Sequence, residues 1–381
     1  MKRSISEKTI LVANPGAGYL ARKDEIDNAL AAVLNSGWYI LGNTVSSFEA
    51  AFSRYIGVHY GIGVASGTDA LLLSIRACGI GGGDTVVTAS HTAVATVAAI
   101  ILSGARPVLV DIAEDTFTLD PARLEDTLRC RPDLNIKAVI PVHLYGHPAD
   151  MSPITEVARK YNLFVIEDCA QAHGARIKDQ KVGAMGHLGT YSFYPTKNLS
   201  ALGDGGAIVT DDSQLHERIK MLRQYGWRER YISEIAGINS RLDELQAAVL
   251  QVKLKYIEED NLRRRSISKQ YYEKLSDTSL ALPKEKNEFY HVYHQYVVRT
   301  PRRDSLKNFL AQKNISTSIL YPKPVHLQSG YATLIARGEG GLSITEKVCE
   351  DLLCLPIYPE LSNEDVSYIC DMILQWQQQE H

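Results

Sequence analysis

The feature that most restricts the fold is a series of short, continuously apolar runs alternating with helix-like segments through the middle of the chain. Runs such as Val108-Leu109-Val110 carry no polar alternation, which suits strands of a sheet covered on both faces. Strands are expected at 85–89, 107–111, 138–142, 163–167, 189–193 and 207–210. Helices are expected between them at 68–78, 92–102, 121–130, 154–161 and 213–223. Such alternation specifies an α/β domain with a mostly parallel central sheet flanked by helices. From residue 241 a helical pattern runs to about 275 and reads as a hinge into a second, smaller domain. That domain is expected to hold strands at 294–299 and 317–321, a helix from 305 and two C-terminal helices. The expected division is an N-terminal segment, 1–50, with a helix near 23–34, packing on both domains. It is followed by a large α/β domain, 51–245, and a small α+β domain, 246–381.

Length and composition agree with this plan. A chain of 381 residues is long for one core, and 45% hydrophobic with 22% charged residues is ordinary for a globular protein. The net charge of −3, with both signs interspersed, offers no basic field for nucleic acid or an anionic membrane. The most apolar segment, 93–102, is too short to span a bilayer, and the N-terminal residues do not read as a signal peptide. Six cysteines form no CxxC pairs and no framework, so reduced thiols and a cytoplasmic location are expected. Cys169, beside Asp168, reads as a small packing residue rather than a nucleophile.

Chemistry enters at the ends of these strands. Leu163-Phe164-Val165-Ile166-Glu167-Asp168 is a buried-strand pattern ending in an acid, and Lys197 follows in the short run Ser192-Phe193-Tyr194-Pro195-Thr196-Lys197. A lone lysine ordinarily marks a solvated surface. Paired with an acid at a strand end, it fits a pyridoxal phosphate (PLP) site. There the lysine forms a Schiff base, and the carboxylate keeps the pyridine nitrogen protonated so that the ring acts as an electron sink. A phosphate seat is expected at Ser66-Gly67-Thr68, a turn opening a helix. Gly67 lets the phosphate approach, Thr68 offers a hydroxyl, and the helix N-terminus supplies unpaired N–H groups. Ser192 adds a second hydroxyl. Gln171, three residues past Asp168, is placed to donate to the ring's phenolic oxygen. Gly203-Asp204-Gly205-Gly206 reads as a tight structural turn. His143, His147 and Asp150 fit no standard metal spacing, and no metal is expected.

With these residues in place the chain resembles the DegT/DnrJ/EryC1/StrS sugar aminotransferases, a branch of the fold-type I PLP enzymes related to aspartate aminotransferase. The resemblance rests on ASGTDAL (65–71), IEDCAQAHGA (166–175), SFYPTKNL (192–199), GDGGAIVT (203–210), GINSRLDELQAA (237–248) and LPIYPELS (355–362), which occur in the family's order. It implies Lys197 as the Schiff-base lysine, Asp168 as the pyridinium partner and Gln171 at the phenolic oxygen. Gly67, Thr68 and Ser192 become the phosphate cradle. It also implies that Asn239 reaches the phosphate of a neighbouring subunit, making the active unit a homodimer. Tyr39, Tyr321 and His326 are expected to face the sugar. Two departures stand out. Many relatives carry an aromatic ring at the position of Ala93, where it stacks on the cofactor, which leaves His91, another ring or aliphatic atoms to cover that face. Ser200 stands where glycine is common.

The activity so implied is transfer of an amino group from L-glutamate to a nucleotide-linked keto-deoxysugar, with dTDP-3-keto-6-deoxyhexose favoured and a 4-keto sugar as the alternative. Lys197 argues against the sugar dehydratases of the same fold, which lack the lysine. A dinucleotide-dependent oxidoreductase would need a glycine fingerprint after a strand, whereas Gly79-Ile80-Gly81-Gly82-Gly83 follows a helix. A PLP-binding regulator without turnover would keep the cofactor pocket but need no sugar-facing surface.

Overall fold

The computed structural model describes residues 9–379. Seven strands build the main sheet: β1 (Tyr60–Val64), β2 (Thr85–Ala89), β3 (Arg106–Val110), β4 (Ile136–Ile140), β5 (Phe164–Asp168), β6 (Leu188–Ser192) and β7 (Gly206–Thr210). Their spatial order is β1-β7-β6-β5-β4-β2-β3, with the short strand Ala336–Arg337 added beside β3. All neighbours pair in parallel except at β7, which runs antiparallel to both β1 and β6. Every residue of β2 and of β7 is buried, so these apolar runs are covered on both faces, as continuous hydrophobicity requires. The expected strands lie within two residues of the observed ones. β1, which the sequence reading did not include, pairs with β7 along its whole length.

Five helices precede or follow the first two strands: α1 (Pro15–Leu20), α2 (Lys23–Ser36), α3 (Asn43–Ile56), α4 (Gly67–Ala77) and α5 (Val94–Leu102). α3 fixes the strand that leads to Lys197. Its Phe52 ring meets Tyr191 edge-on at 4.9 Å, and its Phe48 meets Phe193 at 5.5 Å. All four rings are buried, and fully burying each side chain of this size contributes about 1.5–3 kcal/mol. The end of β6 is thereby a rigid platform.

The C-terminal part differs from expectation in two places. The helical pattern from 241 is two helices, Glu244–Leu254 and Ile257–Leu275. The strand expected at 317–321 is a single bridge from Ser318 to Cys354, on the edge of Leu352–Leu355 opposite its antiparallel partner Tyr296–Arg299. Ile10 bridges to Ile315, and Ile26 of α2 packs with Val249 and Val252.

Candidate active site

Ligands of parallel α/β sheets gather at the carboxyl ends of the strands. There the ends of β1, β5 and β6, with the loop after β2, enclose a cavity of about 240 Å³ lined by Gly67, Thr68, Ala93, Asp168, Gln171, Ser192 and Lys197 among others. Six of the residues expected from sequence to bind a cofactor therefore converge: Gly67, Thr68, Asp168, Gln171, Ser192 and Lys197.

Asp168 ends β5 with its side chain buried. Thr96 Oγ1 donates to its Oδ2 at 2.8 Å, and the Ala170 N–H donates to its Oδ1 at 3.1 Å. Burial pushes the carboxyl pKa up, while these two donors and the Lys197 charge pull it down. Each oxygen retains accepting capacity for a further N–H. Lys197 sits in a turn closed by its own N–H donating to the Tyr194 carbonyl at 2.8 Å. The next residue locks that turn: Asn198 Nδ2 donates to Asn261 Oδ1 (2.8 Å) and to the Val292 carbonyl (3.1 Å). Burial lowers the Lys197 pKa to about 8, against the opposing pull of Asp168.

The other end of the cavity is built for an anion. Ser66 caps α4 by accepting from the Asp69 N–H at 3.1 Å, leaving the first turn of the helix, with Gly67 and Thr68, facing the cavity. Gly67 lies against β6 so closely that a Cβ there would stand 2.6 Å from Ser192 Cβ. Only glycine brings the helix end and the Ser192 hydroxyl together around one small group. Asp69 is turned aside to accept from Ser240 Oγ at 2.7 Å, which keeps its charge off that group.

The side walls answer the question raised by Ala93. Ala93 and Ala170 both line the cavity, whereas His91 is turned into the core. Its Nε2 pairs with the Tyr145 hydroxyl at 2.7 Å and its Nδ1 lies 3.6 Å from Cys349 Sγ, and burial lowers its pKa to about 4. At that position the cavity wall carries only the aliphatic side chain of Ala93. Gln171 is held from both sides: its Oε1 accepts from the Tyr145 N–H at 2.8 Å, and its Nε2 donates to the Tyr321 hydroxyl at 3.0 Å. A second N–H of that carboxamide stays available.

Other expected residues lie elsewhere in the chain. Tyr321 orients Gln171 and does not line the cavity. His326 is buried with Nε2 2.9 Å from Glu346 Oε1, away from the cavity wall. Tyr39 is exposed and donates to the Leu34 carbonyl at 3.3 Å. Asn239 is exposed and bridges to Gln224. Lining or supporting residues that escaped the sequence reading include Thr96, Ala170, Tyr194 and Asp204. The turn carrying Asp204, read as purely structural, reaches the cavity because β7 runs antiparallel and so begins at the carboxyl edge of its neighbours.

No metal site is built around His143, His147 or Asp150. His143 Nε2 pairs with Glu167 Oε2 at 3.0 Å and its Nδ1 accepts from the Ala149 N–H. Glu167 also accepts from the N–H groups of Gly183, Met185 and Gly186. Its neighbours His143 and Cys169 form the one metal-like cluster among the described residues, but the acceptors there are already spent on structure. Burial pushes the Cys169 thiol pKa well up, in keeping with a packing role.

Comparison with known proteins adds to this geometry. Residues 21–374 match the model of the DegT/DnrJ/EryC1/StrS aminotransferase family. The chain is 43% identical over 361 residues to dTDP-3-amino-3,4,6-trideoxy-alpha-D-glucose transaminase of Streptomyces venezuelae, covering 94% of each chain. It is 46% identical over 349 residues to dTDP-3-amino-3,6-dideoxy-alpha-D-galactopyranose transaminase of Aneurinibacillus thermoaerophilus, covering 92% of this chain and 94% of that one. The crystal structure of S. venezuelae DesV in complex with a ketimine intermediate superposes with a TM-score of 0.93 at 42% identity, over 98% of this chain and 99% of that one. The cavity fits a phosphate-bearing pyridine, with an anion seat at one end and a buried acid and an amine at the other. The chain belongs to the DegT/DnrJ/EryC1/StrS aminotransferase family, and its cofactor is PLP.

Proposed function

We propose that this PLP-dependent family member transfers the amino group of L-glutamate to C3 of a dTDP-linked 3-keto-6-deoxyhexose. The observation that carries the reading is the single cavity that joins Lys197 and Asp168 to the Gly67, Thr68 and Ser192 seat. The substrate assignment is supported by the two transaminases described above, both named for C3 amino sugars on dTDP.

Bound PLP supplies a ring that accepts the electron pair left when a C–H bond of the substrate breaks. The chain's own residues do the rest. The first turn of α4 and Ser192 hold the phosphate through N–H and O–H donors. Asp168, kept in place by Thr96 and Ala170, would pair with the ring nitrogen and favour its protonated form. Gln171 would donate its free N–H to the phenolic oxygen, and Ala93 and Ala170 would offer the ring aliphatic walls. Lys197, with its amine neutral in part near pH 8, takes the proton from the donor carbon and returns it at the acceptor carbon.

The active unit in this reading is a homodimer, with Asn239 of one subunit completing the phosphate seat of the other and Tyr39 near the sugar. Exposed Asn239 and an apolar run with Trp38 62% and Tyr39 47% exposed support it, since apolar side chains gathered on a surface mark interaction sites. The absence of disulfides among the six cysteines supports a cytoplasmic location. Among the described residues no helix is long and apolar enough to cross a membrane.

The test is an absorption spectrum of the PLP-loaded protein before and after L-glutamate, followed by a panel of dTDP-linked 3-keto and 4-keto sugars with NMR of the product. The long-wavelength band is expected to bleach with glutamate and to return with the 3-keto sugar alone. A band untouched by any amino acid would favour a binder without turnover, and return with the 4-keto sugar would overturn the regiochemistry. Lys197→Ala should hold PLP without the lysine-linked band and lose turnover by at least about 10⁴-fold, the upper end for a general acid–base group.

A further inference from the structure

A second cavity, of about 60 Å³, shares Lys197 with the first and lies between the N-terminal segment, the 195–200 turn and the Glu244–Leu254 and Ile257–Leu275 helices. Its lining is strongly charged: Arg22, Lys253 and Arg264 face Asp260 and Glu360. Even leaving aside the shared Lys197, three basic side chains against two carboxylates leave one positive charge unmatched.

The cations are also short of acceptors. Arg264 is 5% exposed and uses Nη1 on the carbonyls of Tyr293 (3.3 Å) and Ile357 (2.9 Å), yet its Nε is buried without a partner. Arg22 lays its guanidinium over the Tyr256 ring at 4.0 Å and reaches Asp260 only at 3.7 Å, and its Nε is likewise buried without a partner. Lys253 Nζ donates to Ser200 Oγ at 3.0 Å and retains two further N–H donors. Buried guanidinium donors are rarely left unmade in a finished structure. Two of them bordering one small, net-cationic space describe a seat for an anion with two oxygens. The cavity is too small for a hexose, and its common wall with the first cavity is the reactive lysine.

We propose that this cavity receives a carboxylate of the amino donor, so that Arg22, Lys253 and Arg264 select an acidic amino acid while the sugar approaches from the other side. The proposal rests on the aminotransferase reading with an amino-acid donor. It accounts for the position of Ser200: its hydroxyl accepts from Lys253 Nζ and keeps that ammonium beside the turn bearing Lys197. Asp260, by pairing with Arg22, acts as a brake on the site.

The experiment follows the first half-reaction of the PLP-loaded protein by the bleaching of its absorption band, with L-glutamate and with L-glutamine as donors. In Lys253→Met and Arg22→Gln the apparent KM for glutamate is expected to rise about 10- to 100-fold, as loss of a hydrogen bond to a charged group implies, with the limiting rate changed less than threefold. Asp260→Asn should move the other way and lower KM, which general damage to the fold would not do. Equal loss for glutamate and glutamine places the donor's main-chain carboxylate in the seat; loss for glutamate alone places the side-chain carboxylate there. Only the second supports the proposal: every amino acid carries the main-chain carboxylate, so equal loss would overturn the selection of an acidic donor. Calorimetric titration of the PLP-free protein with glutarate gives a readout independent of turnover: heat is expected from the wild type and is lost in Arg22→Gln. Should Lys253→Met fail to fold, Arg22→Gln and Asp260→Asn decide. KM values for both donors within threefold of wild type in the folded variants overturn the proposal. A wild type that reacts with no amino acid instead removes the aminotransferase reading itself.

Discussion

Gly67→Ala tests the phosphate seat at the point where the structure is tightest. The added Cβ would lie 2.6 Å from Ser192 Cβ, 3.1 Å from its Cα and 3.2 Å from its Oγ. Carbon atoms rest at about 3.5–4.0 Å, so the shortfall is roughly 1 Å. Ser192 cannot swing away, because it is the last paired residue of β6, in register with Gly206 of β7. The first turn of α4 must therefore retreat by about that distance. A phosphate bridging the helix end and Ser192 through hydrogen bonds near 2.9 Å would find one side stretched to about 3.9 Å, beyond hydrogen-bonding range. Losing one such bond to a charged group costs about 1.5–3 kcal/mol, or about 10- to 150-fold in affinity. Calorimetric titration of PLP-free protein with PLP should show that loss, whereas pyridoxal, which lacks the phosphate, should bind wild type and variant alike. In a Ser192→Gly background, where the obstructing Cβ is gone, Gly67→Ala should cost less than in the wild type. PLP affinity within threefold of wild type, or an equal penalty in both backgrounds, would refute the reasoning.

Two further outcomes follow from the pKa arguments. Thr96→Val keeps shape but removes the hydroxyl that stabilises ionised Asp168, so the carboxyl pKa should rise; the acid limb of the kcat/KM profile should move up with it, and an unmoved limb would contradict the assignment. Because burial depresses Lys197 to about 8, PLP capture by PLP-free protein should quicken as pH rises through that value and level off above it, a profile read by stopped-flow absorbance. The same displacement makes the unfolded chain bind more protons between about pH 8 and the ordinary lysine range, so this group's penalty on the PLP-free fold is full below pH 8 and relieved as pH rises. A capture rate flat from pH 6.5 to 9 would contradict it.

How much of this was legible in the sequence depended on how far apart the deciding residues lie. The six cavity residues foreseen each sit where a local pattern ends: Asp168 and Ser192 at the ends of strands, Gly67 and Thr68 at the start of a helix, Gln171 three residues beyond an acid, Lys197 in a short turn after β6. In a parallel sheet those ends share one edge, so strand direction alone brings them together. The two-helix form of 241–275 was not legible, because the break between Leu254 and Ile257 contains neither glycine nor proline. Lys255 and Tyr256 absorb it at (φ, ψ) of (−62°, −26°) and (−109°, −3°), close enough to helical that no breaker residue is needed.

Thr96 and Asp204 show the complementary limit. Thr96 lies within the apolar run 93–102 and reads as core; its role comes from α5 leaning its first turn over the end of β5, 72 residues away. Asp204 precedes a strand, and strand-first turns belong to the far edge of a parallel sheet. It reaches the cavity only because β7 reverses direction, and pairing direction is set by partners that no local run of residues announces. The charged seat behind Lys197 is the extreme case. Arg22 lies more than 230 residues from Lys253 and Arg264, which sit on two consecutive helices, and each alone reads as a solvated surface cation. Their unpaired donors acquire meaning once the break after Leu254 sets the second helix at its own angle, turning Arg264 inward beneath the lysine's turn while Tyr256 holds Arg22 across the opening. A residue's chemistry is therefore readable from sequence when one element positions it, and becomes readable only in three dimensions when its partners are supplied by elements that meet late in the fold.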